Sequence, residues 1–323
     1  MLPRLLTILL LLFAHNSLAA IEVIDDNGDK LTLANVAQRL ELTQKLSQLG
    51  EKRERLGSIL GSSDVMQVVY TTIESLASSR ATALITGESG TGKELAARAI
   101  HDLSVRAPKE FVAVNCAAIP SDLIESELFG EASGVRGNVR ARDGLIKQSD
   151  GGTLFLDEVC DMPYELQSVL LRFIQSGSFK PVGSDNEFVA DVRILAATNR
   201  DPLFEMREGR LREDLFYRLH VVPLRVPPLR ERGDDVLLLS TYYLKVFSEQ
   251  EARETCGFSE DARREFRRYP WPGNVRQLEN IIHRLVLMSP EQTIGYEQLR
   301  VAIMDSDMVD STASNPSAIT PLT

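Results

Sequence analysis

Residues 87–93 read GESGTGK; they follow the apolar run ALIT and open a segment of helical periodicity. Glycines at Gly87, Gly90 and Gly92 let the backbone fold so that successive N–H groups point at one place. A helix starting at Lys93 adds the positive end of its dipole, and the Lys93 ammonium adds a full charge. Glu88, Ser89 and Thr91 fill the other positions of the loop. Such a cradle suits the β- and γ-phosphates of a nucleotide. A glycine-rich turn ending in a surface lysine is the plainer alternative, and the strand–loop–helix setting argues against it. Position 94 is Glu, where the general pattern has a Ser or Thr hydroxyl on Mg²⁺.

Residues 151–158 read GGTLFLDE, an apolar run ending in two adjacent carboxylates. Asp157, at the end of a strand, can hold Mg²⁺, and Glu158 can orient an attacking water. Alone, the same letters fit a strand followed by a solvated acidic turn equally well. Beside the loop at 87–93, they read as the other half of a site for ATP and Mg²⁺.

These residues need a scaffold. Residues 83–86, 111–115, 153–156, 192–198 and 220–224 are near-continuously apolar, as strands buried on both faces are. Segments such as 93–103, with Leu95, Ala96, Ala99, Ile100 and Leu103 on one face, alternate with them. The predicted fold is α/β, a parallel five-stranded sheet flanked by helices. Residues 226–232 (VPPLRER) break the pattern. Beyond them, 234–250, 259–269, 275–288 and 296–304 read as helices of a small all-helical domain. The predicted organisation is a signal-peptide-like hydrophobic segment at 1–20 and a hairpin-like stretch with a linker helix (36–56) within 21–55. The nucleotide-binding domain follows at 56–226, then the helical domain at 227–305 and a disordered tail at 306–323.

Of the 323 residues, 43% are hydrophobic and 25% charged, an ordinary globular balance, and the net charge of −10 argues against broad phosphate-backbone binding. Cys116, Cys160 and Cys256 form neither a metal-ligand pattern nor a disulfide framework, which favours a reducing compartment. Residues 1–20 conflict with that: one Arg, an apolar run and then small residues make the layout of an export signal. ATP dependence favours the cytoplasm. Residues 21–33 are also similar to the opening of periplasmic substrate-binding proteins, which raises a fusion as one origin of the chain.

From Leu60 to about Met288, roughly seventy per cent of the chain, the sequence resembles the AAA+ domain of sigma-54-dependent transcriptional activators. The resemblance is carried by LGSSDVMQ, LITGESGTGKELAARAIHDLS, FVAVNCAAIPSDLIESELFG, DGGTLFLDEV, VRILAATNRD, LREDLFYRL, PPLRER and YPWPGNVRQLEN. It implies an ATPase working as a ring of identical subunits, a hexamer, and Glu94 is usual in that family. It implies that Asn115 holds Glu158 until the ring engages, and that Asn199 senses the γ-phosphate. It makes Arg212 and Arg218 arginine fingers for the neighbouring subunit, and Arg276 the sensor arginine of the helical lid. Without the resemblance these would be a strand-end cap, a turn residue and three surface charges.

The resemblance also implies sigma-54 RNA polymerase as a partner, reached through a loop reading Gly-Ala-Phe-Thr-Gly-Ala after ELFG. Here ELFG is intact, but residues 131–138 read EASGVRGN, with neither the aromatic nor the Thr. No receiver domain and no helix-turn-helix are recognisable, so sequence-specific DNA binding is not expected. Two functions remain in view: an active ring ATPase in regulation of transcription, or a non-productive fusion or remnant that binds nucleotide without activating transcription.

Overall fold

The computed structural model describes residues 22–24, 30–32, 52–133, 141–253, 257–288 and 293–313, with side chains from residue 52 to residue 306. The chain divides into two units, Met1–Lys52 and Arg53–Thr323. In the first, Glu22–Ile24 and Lys30–Thr32 pair antiparallel, with Glu22 opposite Thr32, as the alternation around Asp-Asn-Gly predicts. The signal-like residues 1–20 and residues 36–51 of the predicted linker helix lie outside the described residues. The described end of the predicted span, residues 52–56, is not helical. Arg55–Leu56 and Ile59–Leu60 form a small antiparallel ladder in the second unit. Gly57 turns the chain there at φ +58°, where a side chain is unfavourable, and Leu56 and Ile59 enter the core.

The second unit is built on five parallel strands: β1 (Ala83–Thr86), β2 (Phe111–Asn115), β3 (Thr153–Asp157), β4 (Arg193–Thr198) and β5 (Val222–Arg225). Their order is β5-β1-β4-β3-β2. Leu84, Leu154, Leu156, Ile194 and Ala196 point into one core, and Ala83, Ile85, Phe155, Leu195 and Ala197 into the other. Both faces are covered, which is why the strands are apolar at nearly every position. Helices α1 (Asp64–Ala77) and α2 (Lys93–Asp102) pack on the second face. Ala96, Ala97 and Ala99 give α2 a thin inner side, so the phosphate-loop helix lies close to the sheet. On the first face lie α3 (Ile124–Phe129), α4 (Tyr164–Ser176) and α5 (Glu213–Leu219).

Parallel pairing puts every carboxyl end on one edge of the sheet. Thr86 is level with Thr198 and Arg225, and Asn115 with Asp157. The loops leaving these ends therefore converge, as in other open α/β sheets that bind ligands there.

The helical domain comprises α6 (Asp235–Gln250), α7 (Glu260–Arg268), α8 (Asn274–Met288) and α9 (Tyr296–Ala313). Its own core holds Phe247, Phe258, Phe266, Trp271, Leu278, Ile281 and Ile282. Ser259 caps α7 by accepting from the Ala262 N–H at 3.2 Å, and Trp271 Nε1 donates to the Phe266 carbonyl at 2.8 Å. The predicted disordered tail begins too early. Helix α9 runs on through residues 306–313, because nothing before Pro316 breaks it. Residues 314–323 lie outside the described ones. No helix among the described residues is long and apolar enough to cross a membrane.

His101, near the end of α2, ties this helix to the start of β3. Its Nε2 donates to the Lys109 carbonyl at 3.1 Å, which leaves Nδ1 to accept from the Thr153 hydroxyl at 2.9 Å. Burial holds its pKa below the usual 6.5. The native ring stays neutral while the unfolded chain takes up a proton, so stability is complete above pH 6.5 and declines as pH falls below it. Urea unfolding at about pH 7.5 and 5.5 is expected to show a larger loss for the wild type than for His101→Gln; equal losses would contradict this.

Candidate nucleotide site

The phosphate loop leaves β1 at Gly87 (φ 159°), turns at Gly90 (φ 76°) and Gly92 (φ 97°), and enters α2 at Lys93. Among the described residues, the main-chain N–H groups of Gly90, Gly92 and Lys93 donate to no protein acceptor. Unpaired N–H groups beside a helix N-terminus form a site for an anion. Lys93 is 7% exposed, and its Nζ donates to the carbonyls of Gly87 at 3.0 Å and Glu88 at 3.3 Å. Thr91 Oγ1 closes the loop on the Glu88 carbonyl at 2.9 Å. Glu94 points away, exposed on the first turn of α2.

Glu158 follows β3 in a left-handed conformation, φ 51°, which turns its side chain back over the edge of the sheet. One carboxylate oxygen lies 3.5 Å from Lys93 Nζ, and the other accepts from the Asn199 main-chain N–H at 2.9 Å. Asp157 accepts from the Glu158 N–H at 3.1 Å through Oδ1, and Oδ2 has no protein partner among the described residues. Residues from three strand ends, Lys93, Glu158 and Asn199, thus meet at one place. A cleft of about 300 Å³ beside them is lined by Gly87, Glu88, Asn199, Arg225, Val226 and Pro228, among others.

Other expected residues lie elsewhere. Asn115 Oδ1 accepts from the Ala117 N–H at 2.9 Å, so here it caps its own strand end while Glu158 is held by Lys93 and Asn199. Arg212, at the start of α5, pairs with Asp214 at 2.8 Å and lies over the Tyr164 ring at 5.5 Å. Arg218 is exposed on α5, with a guanidinium that has no partner among the described residues. Arg276 does reach the loop: its Nη1 donates to Ser89 Oγ at 3.2 Å.

Several residues with no role in the sequence reading grip the same loop from the lid side. Arg230 forms a two-pronged pair with Glu88, at 2.8 and 2.5 Å. The Glu88 carboxyl is held down to about 2, first by that pair and then, against some desolvation, by Asn274. Asn274 is fully buried and in the left-handed region (φ 52°); it donates to Glu88 Oε2 at 3.1 Å and to the Ser89 carbonyl at 3.0 Å. The buried Arg232 donates to the Thr91 carbonyl at 2.7 Å. Asp235, also buried, accepts from the N–H groups of Ser62 (2.7 Å) and Ser63 (3.0 Å) and from both hydroxyls. For Arg230, Arg232 and Asn274 the signals were PPLRER and WPGNVR, whose letters carry no physical reason of their own; Asp235, which holds residues 62–63 rather than the loop, lies in neither.

Burial pushes the Cys116 thiol up to about 12 and the Cys160 thiol up to about 11, so neither is poised as a nucleophile or a metal ligand. Cys256 lies outside the described residues.

A glycine-turned phosphate loop with a buried lysine, a carboxylate pair on the adjoining strand end and a helical lid seated on the loop define an AAA+ P-loop nucleotide-binding domain. Residues 59–225 match the Sigma-54 interaction domain, and residues 230–316 match the AAA+ ATPase lid domain. The chain belongs to the Sigma-54 interaction domain family. It is 48% identical over 298 residues to the regulatory protein LuxO of Vibrio cholerae, covering 88% of this chain and 66% of that one. It is 45% identical over 264 residues to the DNA-binding transcriptional regulator NtrC of Rhizobium meliloti, covering 80% and 54%. The crystal structure of NtrX from Brucella abortus in complex with ADP superposes with a TM-score of 0.71 at 36% identity, over 84% of this chain and 60% of that one. A second NtrX structure, in complex with ATP, gives 0.70 at 35% identity over 84% of this chain and 59% of that one. The chain spans less than two-thirds of the length of these relatives.

The Asp235 carboxylate is the buried anchor between the lid and residues 62–63, so Asp235→Ala strands four donors at once. A loss of about 3 kcal/mol in urea unfolding is expected; a loss below about 1 kcal/mol would show that the anchor contributes little.

Proposed function

We propose that this chain binds ATP with Mg²⁺ at the loop of residues 87–93 and hydrolyses it as part of a ring of identical subunits, serving regulation of transcription. The single observation that carries the reading is Lys93. It is buried at the mouth of a loop with unpaired N–H groups and faces Glu158 across 3.5 Å. A triphosphate entering there gives these donors the acceptor they lack, and it competes with Glu158 for Lys93. Glu158, so released, can orient the attacking water. The free Oδ2 of Asp157 fits a hard cation that takes its other ligands from phosphate and water. Such an ion would neutralise charge developing on the phosphates. Asn199, just past the end of β4 and bonded through its N–H to Glu158, senses the γ-phosphate position, and Arg276 extends the loop's cationic side from the lid.

Arg218, exposed and without a side-chain partner among the described residues, and Arg212, held by an exposed aspartate and the Tyr164 ring, suit delivery to a neighbouring subunit's nucleotide. A guanidinium there stabilises charge on the transferring phosphoryl group. Asn115, whose Oδ1 caps its own strand end here, keeps amide N–H donors that hold Glu158 until the ring engages. Dependence on ATP places this work in the cytoplasm. In the family's relatives the output passes to sigma-54 polymerase; here residues 134–138 of EASGVRGN lie outside the described residues, and their sequence offers no aromatic anchor.

Turnover by the full chain is expected to rise more steeply than linearly with protein concentration. Glu158→Gln should lower it about 10³-fold with ADP affinity retained. Linear turnover down to dilute protein would count against the ring, and unchanged turnover in Glu158→Gln would remove Glu158 from its role. In an open-complex assay with sigma-54 polymerase, little or no activation is expected; vigorous activation would show that EASGVRGN still serves as the contact loop.

A further inference from the structure

Glu88 puts a full negative charge inside the loop that the preceding reading assigns to a polyphosphate. Its main chain belongs to the cradle, since its carbonyl accepts from both Lys93 Nζ and Thr91 Oγ1. Its carboxylate is ionised at neutral pH. A like charge so near the phosphates would oppose their binding unless something cancelled it. The cancelling group comes from the connector between the two domains: Arg230 meets both carboxylate oxygens, and Asn274 meets one of them. Arg225, the last residue of β5, adds a further cation near the same carboxylate, although its own guanidinium pairs with Glu231 at 3.1 Å.

The geometry is that of a charge lock rather than a simple brace. Hydrogen bonds that hold the loop's shape are supplied separately, by Arg232 to the Thr91 carbonyl, by Asn274 to the Ser89 carbonyl, and by the Val275 N–H to the Gly90 carbonyl at 3.0 Å. Among the described residues the Arg230 guanidinium donates to no main-chain atom of the loop, only to the Glu88 carboxylate. We propose that Arg230 is a positioning residue for nucleotide binding, which neutralises Glu88 so that the loop presents a net positive face to the phosphates. The inference rests on the nucleotide reading, and it goes beyond it by giving the connector a direct electrostatic part in affinity. It also links lid and ligand: a lid movement that carries Arg230 off Glu88 would expose the carboxylate and favour release of the nucleotide.

The test measures Mg·ADP binding by calorimetry on the full chain, with the emission of Trp271, the only tryptophan, as a second readout. Trp271 is buried beside the turn that touches the loop. Arg230→Gln should weaken ADP binding about ten-fold, and Arg230→Lys about three-fold or less. The added change Glu88→Gln should restore Arg230→Gln to within about three-fold of the wild type, because neutralising the carboxylate replaces the lost cation. The deficit of Arg230→Gln should shrink at high salt. The Arg230 side chain is 45% exposed and its pair with Glu88 is open to solvent, so thermal melting should hardly move. Arg230→Gln binding as tightly as the wild type would overturn the proposal and leave the nucleotide reading standing. A deficit that Glu88→Gln does not relieve would overturn it in favour of a mechanical brace. Failure of the wild type itself to bind Mg·ADP would overturn both.

Discussion

Everything in the second unit answers to one electrostatic demand: several N–H dipoles and an ammonium must be held pointing at a common spot where, without an anion, they repel one another. A free loop would relax by rotating its peptides away. Here the loop cannot, because it is anchored at both ends and gripped along its length. At one end Gly87 continues a strand buried in the middle of the sheet, with Val226 behind it. A Cβ at Gly87 would lie 2.6 Å from the Val226 carbonyl, so no larger residue fits. At the other end Lys93 is committed to a helix whose alanine side lies flat on the sheet. Lys93 itself relieves part of the strain by turning its charge onto carbonyls and onto Glu158.

The lid supplies the rest. Gly90 passes so close to the turn before α8 that a Cβ there would meet the Gly273 carbonyl at 2.4 Å. That turn is itself unusual, with Trp271 at φ 52° and Asn274 at φ 52°. Left-handed backbone at two residues that bear side chains costs of order 1–3 kcal/mol each and persists only when the surroundings over-determine it. The surroundings are specific: Trp271 is packed in the lid core with its Nε1–H satisfied, and Asn274 spends its amide on the phosphate loop and its Oδ1 on the Leu229 N–H. The strain of the turn and the shape of the loop are therefore one problem, solved jointly by two domains. Packing and affinity are coupled here because the same buried atoms serve both.

Much of this was legible in the letters, for reasons that differ from place to place. The five sheet strands were readable because strands covered on both faces carry no polar alternation, and the predicted 83–86 and 111–115 coincide with Ala83–Thr86 and Phe111–Asn115. The loop was readable because the glycines and Lys93 have few other uses in that order. Helix ends were less so. The composition of residues 306–313 suggests disorder, but α9 continues there, since propensity without a breaker does not stop a helix already packed on its neighbours. Arg55–Leu56 is a strand because its partner lies across a glycine turn, a contact that helical periodicity does not register. Arg230, Arg232 and Asp235 were not legible as site residues at all. Their partners stand more than a hundred positions away in the chain, and only the closure of lid on loop brings them together.

Asn115 and the arginines of α5 expose a different limit, one of assembly rather than of reading. In the single subunit each has a satisfactory local solution: Asn115 caps its strand end, Arg212 pairs with Asp214, and Arg218 faces solvent. None of these is deep or strongly held. A bond from a side-chain amide to an exposed N–H, and an ion pair between two solvent-screened surface groups, each contribute little. In the proposed ring, a neighbouring phosphate carrying several negative charges into a water-poor interface would outweigh such contacts. These three residues are thus held by shallow contacts, whereas those that shape the loop are buried and multiply bonded. That contrast in depth, rather than any one distance, is what the proposed use of Asn115, Arg212 and Arg218 between subunits rests on.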